Sequence, residues 1–436
     1  MKTMLKAALL ATIAAGLAAP AVAQDALQLP NMSYRTGPFA ATGTPHMNGQ
    51  LDYMTMLNER DGGINGVPVA FEECETGYNT EKGVECYEKT KSEGALVTQP
   101  WSTGITLQVL PQTNVDEITV YAPGYGFSAM QDGKVFQWAF NPPTSYWDGA
   151  SMIVNALGDG NPDNLNGQKI AFLHLDHPYG KEPIPLLEQL AEKHGFTLLP
   201  IPVGLTEMQN QSAQWLQIRR ERPDFVVMWG WGAMNAGAVT EAAKTRYPMD
   251  QFVSVWWGAH EPDLRLIGEE GQGFRALSWN FPRSDSQVMQ DVKEYVVDAG
   301  KSQIDQDSGE FDSMAYQRGV LMSVILAEAV RVAQEHADTP DISREDLRWG
   351  FENLNLDEAR LEEIGVEGMM APFSTSCANH TGNASAWMVE WDGEKFVKVS
   401  DLLPADRETI DALVEEQAAA YAEANAPWPT NEECDQ

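Results

Sequence analysis

The chain has 436 residues, 43 % of them hydrophobic, and a formal net charge of −34. That composition is globular, while so acidic a surface repels nucleic acid and anionic lipid and excludes both as expected partners. Charge effects are screened beyond about 8 Å at physiological salt, so the acids are read as solubilising groups rather than as attractors of cationic ligands.

The N-terminus carries Lys2 and Lys6, an uncharged run over 7–19, then Pro20 and the small triplet Ala21, Val22, Ala23. This layout predicts a secretory signal peptide over 1–23 with cleavage after Ala23. The uncharged run is shorter than the roughly 20 residues needed to span a bilayer, and no Cys follows the cleavage site to accept a lipid. Removal of the two leader lysines takes the net charge to about −36. The mature chain is expected to be periplasmic, without stable membrane insertion. At about 410 residues it exceeds what one hydrophobic core organises, so two or more lobes are expected.

Beyond the leader, short apolar runs alternate with amphipathic stretches, the pattern of a parallel α/β sheet. Strands are predicted over 27–34, 67–73, 95–99 and 117–122. Thr44 is the expected cap of the first helix, with Pro45 in its first turn and Met47, Leu51, Met54 and Leu57 on one face. Asp61, Gly62 and Gly63 stop that helix, and a second starts near Thr80 and ends at Gly94. After a loop over 161–167 the alternation begins again, with strands over 169–175, 197–203, 224–229, 251–257 and 275–279 and helices over 185–194, 208–222 and 236–245. Two similar α/β units therefore follow one another, without a residue-level repeat. Further helices are expected over 286–299 and 311–335, and one opens at the capping sequence Ser343, Arg344, Glu345, Asp346. A hairpin follows at 387–391 and 396–399 around Asp392 and Gly393, and an acidic helix over 405–424 closes the chain.

Four cysteines in an oxidising compartment suggest two disulfides. The preferred pairs are Cys74 with Cys86, close in sequence, and Cys377 with Cys434, which staples the tail; a metal site is disfavoured because no C-x-x-C unit is present. His174, Asp176 and His177 form the densest His/Asp group but lack H-E-x-x-H spacing and a third ligand. There is no G-x-S-x-G elbow. No metal, cofactor or enzymatic activity is expected, and a periplasmic hydrolase with a deep cleft stands as the alternative of another class.

The turn Thr36, Gly37, Pro38, Phe39, Ala40, Ala41, Thr42, Gly43 precedes the first helix and offers backbone N–H groups suited to an anion. It is neither a G-x-G-x-x-G fingerprint nor a P-loop. This run, continued through Asn58, Gly62, Gly63, Ile64, Asn65 and Gly66, resembles the leucine/isoleucine/valine-binding family of periplasmic binding proteins. The resemblance extends through Trp101, Ser102, Thr103; Ala122, Pro123, Gly124; Pro178, Tyr179, Gly180; Arg222, Pro223, Asp224; and Ala315, Tyr316, to about Leu354. It implies an α/β fold of two doubly wound, Rossmann-like lobes joined by a hinge, the type I periplasmic binding protein. Lobe 1 is expected over 24–142 and 278–370, and lobe 2 over 143–277 and 371–436 with a C-terminal extension. It implies capture of a small molecule by lobe closure and delivery to the permease subunits of an ABC importer.

By the same resemblance Ser102 and Thr103 hold a ligand carboxylate at a helix N-terminus, and Tyr179 is an aromatic wall of the second lobe. Where amino-acid-binding members place a carboxylate against the ligand ammonium, Asn235 stands here, and Gly126, near a second hydroxyl contact, has no side chain. A desolvated ammonium without a counter-charge costs several kcal/mol, so a free amino acid is disfavoured. Trp101, Tyr125, Trp229, Trp231, Trp256 and Trp257 gather at predicted strand ends and suit an aromatic or apolar acid or a quaternary amine. The candidate ligand-binding set is Trp101, Ser102, Thr103, Tyr125, Gly126, Tyr179, Trp231 and Asn235. The expected ligand is a small organic acid, with a branched-chain or other amino acid as the alternative.

Overall fold

The computed structural model describes residues 26–435, so the signal peptide expected over 1–23 lies outside the described residues. The first sheet is wholly parallel and built from short strands. β1 (Leu27–Gln28) pairs with β3 (Val69–Ala70), and β2 (Asn31–Ser33) with β4 (Glu73–Glu75). Pro30 separates β1 from β2, because it cannot donate to the ladder. On their other side the Leu96 and Met32 amides reach the Gln28 and Gln99 carbonyls, which brings in β5 (Val97–Thr98), followed by β6 (Thr119–Tyr121) and β7 (Ala139–Phe140). The second sheet runs β9 (Thr197–Val203), β8 (Lys169–Leu175), β10 (Phe225–Trp229), β11 (Phe252–Ser254), β12 (Arg275–Ser278), all parallel. The antiparallel strands Ser385–Trp391 and Phe396–Lys398 then extend it. Counted within each unit, both sheets have the order 2-1-3-4-5, so each has a switch point beside its first strand.

Helices fill the crossovers as the sequence requires, with instructive shifts. α1 spans Ala40–Asp61 and starts ahead of Thr44, which corrects the expected cap. Gly37, at φ +89°, turns the chain, and the Gly43 amide and the Thr42 hydroxyl both donate to the Phe39 carbonyl. Thr44 and Pro45 are therefore interior to the helix. Gly62, left-handed at φ +72°, ends it as expected. α2 (Thr80–Ser92) is capped by the Asn79 side chain, and α3 (Thr103–Asp116) follows β5. α4 (Tyr146–Leu157), which the sequence reading lacks, opens on a Ser145/Asp148 capping box and is buried over 146–154. The helix expected at 185–194 is preceded by a separate short turn: α5 is Pro178–Lys181 and α6 is Ile184–His194. α7 (Ser212–Glu221) starts later than expected, because the Gln211 side chain donates to the Met208 and Met234 carbonyls and fixes a turn there. α8 is Ala233–Thr245.

The long helix Met314–Ala337 lies against α1 so closely that a Cβ at Gly49 would meet the Tyr316 carbonyl at 2.0 Å, and one at Gly319 the His46 carbonyl at 2.0 Å. Only glycine permits that approach. Both expected disulfides form: Cys74–Cys86 ties β4 to α2, and Cys377–Cys434 anchors the tail. The terminal helix Arg407–Ala424 touches α4, α6 and the 128–131 turn. Trp428 and Asn431 then donate to the Val135 and Lys134 carbonyls. Among the described residues no helix is long and apolar enough to cross a membrane.

Candidate functional site

The carboxyl ends of both sheets face one another, and the candidate residues sit on the loops that leave them. From the first sheet come Tyr34 after β2, Tyr78 after β4, Trp101, Ser102 and Thr103 after β5, and Tyr125 and Gly126 after β6; from the second come Tyr179 after β8, Trp231 and Asn235 after β10, and Trp256 and Trp257 after β11. The predicted strand over 251–257 ends at Ser254 and becomes a 3-10 turn at Trp256–Gly258, which sets these two indoles at the cleft.

The rings form a continuous wall across the two units. Tyr125 and Trp257 have centroids 4.5 Å apart, Trp231 and Trp257 4.8 Å, Tyr34 and Trp231 6.3 Å, Trp101 and Tyr125 5.7 Å. Tyr146 stacks on Trp256 at 5.5 Å and packs against Tyr179 at 5.3 Å. All are buried. Burial raises the phenols of Tyr34, Tyr125, Tyr146 and Tyr179 well above the ordinary tyrosine range, so they remain neutral donors. Several rings are pinned by hydrogen bonds: the Tyr179 hydroxyl donates to the Gly230 carbonyl at 2.9 Å, and the Trp257 indole donates to the Tyr146 hydroxyl at 3.0 Å.

Ser102 and Thr103 open α3. Ser102 occupies the N-cap position, yet its hydroxyl caps nothing, and both hydroxyls are buried with no hydrogen bond of ordinary geometry, the Tyr78 hydroxyl lying beside that of Ser102. Buried polar groups are normally satisfied, and an unmet one costs about 1–3 kcal/mol; this pair stands at a positive helix terminus, where donors suit an acceptor. The backbone around it is strained. Trp101 has φ +43° and Tyr78 φ +63°, left-handed values that bulky residues adopt rarely and mostly where surrounding structure enforces them.

Asn235 is buried, and its amide donates to the Trp257 carbonyl at 2.8 Å, so that group is spent on positioning the ring wall. Gly126, at φ +93°, has Met130 filling the space a side chain would take, 2.6 Å from the Cβ position. The Gly-rich turn does hold an anion, but it is the chain's own: the Glu75 carboxylate accepts from the Arg35 and Thr36 amides and from the Ser33 and Thr36 hydroxyls. Against the opposing effect of partial burial, these bonds hold Glu75 below the usual carboxylate range. His177 caps α5 and is lowered to about 4 by burial, while Asp176 pairs with Lys181. Among the described residues no group of three His, Cys, Asp or Glu side chains could hold a metal ion.

Sequence reasoning missed Tyr34, Tyr78, Tyr146, His46, Trp279 and Arg318. His46 is buried with both ring nitrogens unpartnered, and burial, then Arg318, push its pKa well down. Arg318 carried a legible signal, a lone cation early in the apolar 311–335 helix. The tyrosines carried none, because only the loop paths bring them together.

The units touch across the cleft. The Ala233 amide donates to the Pro38 carbonyl at 3.1 Å, and the Ser128 amide donates to the Glu182 carboxylate at 2.8 Å. Two doubly wound halves closed over a ring-lined cleft define a clamp for a small solute. The sequence pattern of the periplasmic binding protein family matches residues 27–395, and the chain belongs to that family. No curated protein matches the chain. Among solved structures, one from the Pseudomonas fluorescens group, described as an ABC transporter permease, is 35 % identical, covering 94 % of this chain and 99 % of that one with a TM-score of 0.85. A branched chain amino acid ABC transporter from Thermus thermophilus with bound valine is 19 % identical over 90 % of this chain and 99 % of that one, TM-score 0.77. A solute binding protein from R. palustris in complex with benzoate is 16 % identical over 87 % and 97 %, TM-score 0.68. The last two show likeness of fold alone. The family is one of binding proteins rather than an enzyme class, and the hydrolase alternative is not favoured.

Proposed function

We propose that the chain is the periplasmic solute receptor of an ABC importer, exported by its leader and closing on a small organic acid with an apolar or aromatic body. The observation that carries this reading is the Ser102–Thr103 hydroxyl pair, buried with no hydrogen bond of ordinary geometry at the start of α3 inside a box of aromatic rings. The acid group seats on these hydroxyls, and Trp231, Trp257 and Tyr179 cover the body as the lobes close about the crossings at 142–143, 277–278 and 370–371. The closed form is what the permease subunits recognise, so the solute must bind it better than the open form. A free amino acid fits less well, because Asn235 offers an ammonium only a neutral amide oxygen, not a carboxylate.

Mass spectrometry of molecules released from the purified protein by denaturation tests the reading. A small acid is expected, unaltered by incubation with the protein, and it should raise the melting temperature on re-addition. Turnover of the released molecule, or tight binding of leucine by the unmodified chain, would overturn it.

A further inference from the structure

Arg318 enters the cleft from the long helix Met314–Ala337 and is only 2 % exposed. Its Nε donates to the Asn280 side-chain oxygen at 2.8 Å, and Nη2 reaches the Ser278 hydroxyl at 3.5 Å. Among the described residues it makes no ion pair, and its Cζ sits 5.0 Å from the Trp257 ring centroid. Glu261, the carboxyl in its surroundings, accepts from the Met314 amide at 2.9 Å, and burial raises its pKa above the usual carboxylate value. Burial lowers the Arg318 pKa to about 10, which still leaves a full positive charge at neutral pH.

Two further donors converge nearby. The indole nitrogens of Trp256 and Trp279 have no acceptor, and they lie 3.2 and 3.3 Å from the position a Cβ on Gly124 would occupy. Gly124, at φ +69°, leaves that position empty of side chain. Arg318 is tied to the residue next to each indole, Trp257 on one side and Asn280 on the other. This end lies against the 278–280 crossover. The Ser102–Thr103 pair stands at a different set of neighbours, where a Cβ on Gly104 would sit 3.2 Å from His177. Both ends offer donors, and among the described residues the guanidinium is in no ion pair, the Glu261 carboxyl acting on it only at longer range. A monoacid on the hydroxyls would leave the guanidinium buried and unpaired, the arrangement that low dielectric penalises most.

We propose that Arg318, with the Trp256 and Trp279 indoles, is a second anion subsite, and that the solute is a dicarboxylate on an apolar or aromatic spacer, one acid group at each end of the cleft. The inference rests on the receptor reading above and adds the charge and polarity of the solute. Terephthalate, adipate and their monoamides are the probes, titrated calorimetrically against the full mature chain. Each diacid is expected to bind at least about 30-fold more tightly than its monoamide, the size expected when a buried charge loses its partner. In Arg318→Gln that ratio falls to near unity, while Arg318→Lys keeps most of it. A merely structural Arg318 would lower all affinities together and leave the ratio unchanged, which overturns the proposal. So does a wild-type protein that binds neither diacid, or binds monoamides as well as diacids, a comparison that does not depend on any variant folding. These failures leave the receptor reading standing, because the released-molecule experiment decides that separately.

Discussion

The two sheets share one winding order, yet their cleft-facing ends offer different chemistry. The first presents the Ser102 and Thr103 hydroxyls with no hydrogen bond of ordinary geometry, at a helix start held by left-handed Trp101 and flanked by left-handed Tyr78. The second presents rings: Tyr179 is fixed to Gly230, Trp257 to Tyr146, and the Trp257 carbonyl to Asn235. On the reading proposed above, the first unit would supply the polar grip and part of the ring wall, and the second the rest of the apolar cover. A solute whose polar head is already satisfied gains from closure chiefly by burying its body, which is how differential affinity for the closed form arises.

The largest effect that would sharpen this contrast comes from the polar grip. Ser102→Ala combined with Thr103→Val should weaken binding of the released acid by about 100-fold, since hydrogen bonds to a charged group contribute about 1.5–3 kcal/mol each; calorimetric titration reads it. An unchanged affinity would break the assignment of the grip to the first unit. Next is closure itself. A Cβ at Gly232 would lie 2.7 Å from the Pro38 carbonyl across the cleft, at a residue with φ +61°. Gly232→Ala is therefore expected to weaken binding about tenfold and to leave a more open scattering profile in the presence of the acid.

A smaller effect follows from Glu182, whose carboxyl accepts the Ser128 amide across the cleft and is raised to about 8 by burial. Its ordinary value is 4.5. A raised acid binds a proton on closure, so its contribution is fully present below pH 4.5 and is lost as pH rises through about 8. Affinity should fall across that window by less than tenfold per pH unit, and Glu182→Gln should flatten the profile. Smallest is the stability change in Ser102→Ala alone. A capping serine is worth about 1 kcal/mol; because this one caps nothing and its buried hydroxyl is unmet, its removal should raise the unfolding free energy of the ligand-free protein by about 1 kcal/mol, read by denaturant unfolding.

Much of the framework was legible from residue order. The predicted strands 169–175 and 197–203 match β8 and β9 residue for residue, because continuous apolar runs bounded by Gly and polar turns leave one reading. The Ser343 to Asp346 capping box and the hairpin around Asp392 also stand where their local chemistry puts them. Local signals failed where tertiary burial overrides them. β7 is only the pair Ala139–Phe140, too short to show a period. α1 begins before Thr44, because a glycine turn and the Phe39 carbonyl set its start.

Sequence alone determined the α/β class, the succession of two wound units, the Cys74–Cys86 pair and the gathering of aromatic and hydroxyl residues at strand ends, because each follows from periodicity or short spacing; Cys377–Cys434, 57 residues apart, was preferred only as the remaining pair. Tertiary structure alone decided which rings meet, that the Asn235 NH2 is engaged by a backbone carbonyl, and that Arg318 lies buried and, among the described residues, in no ion pair. Those facts depend on loop paths and on how two units settle against each other, and contacts between residues far apart in the chain leave no periodic trace within it.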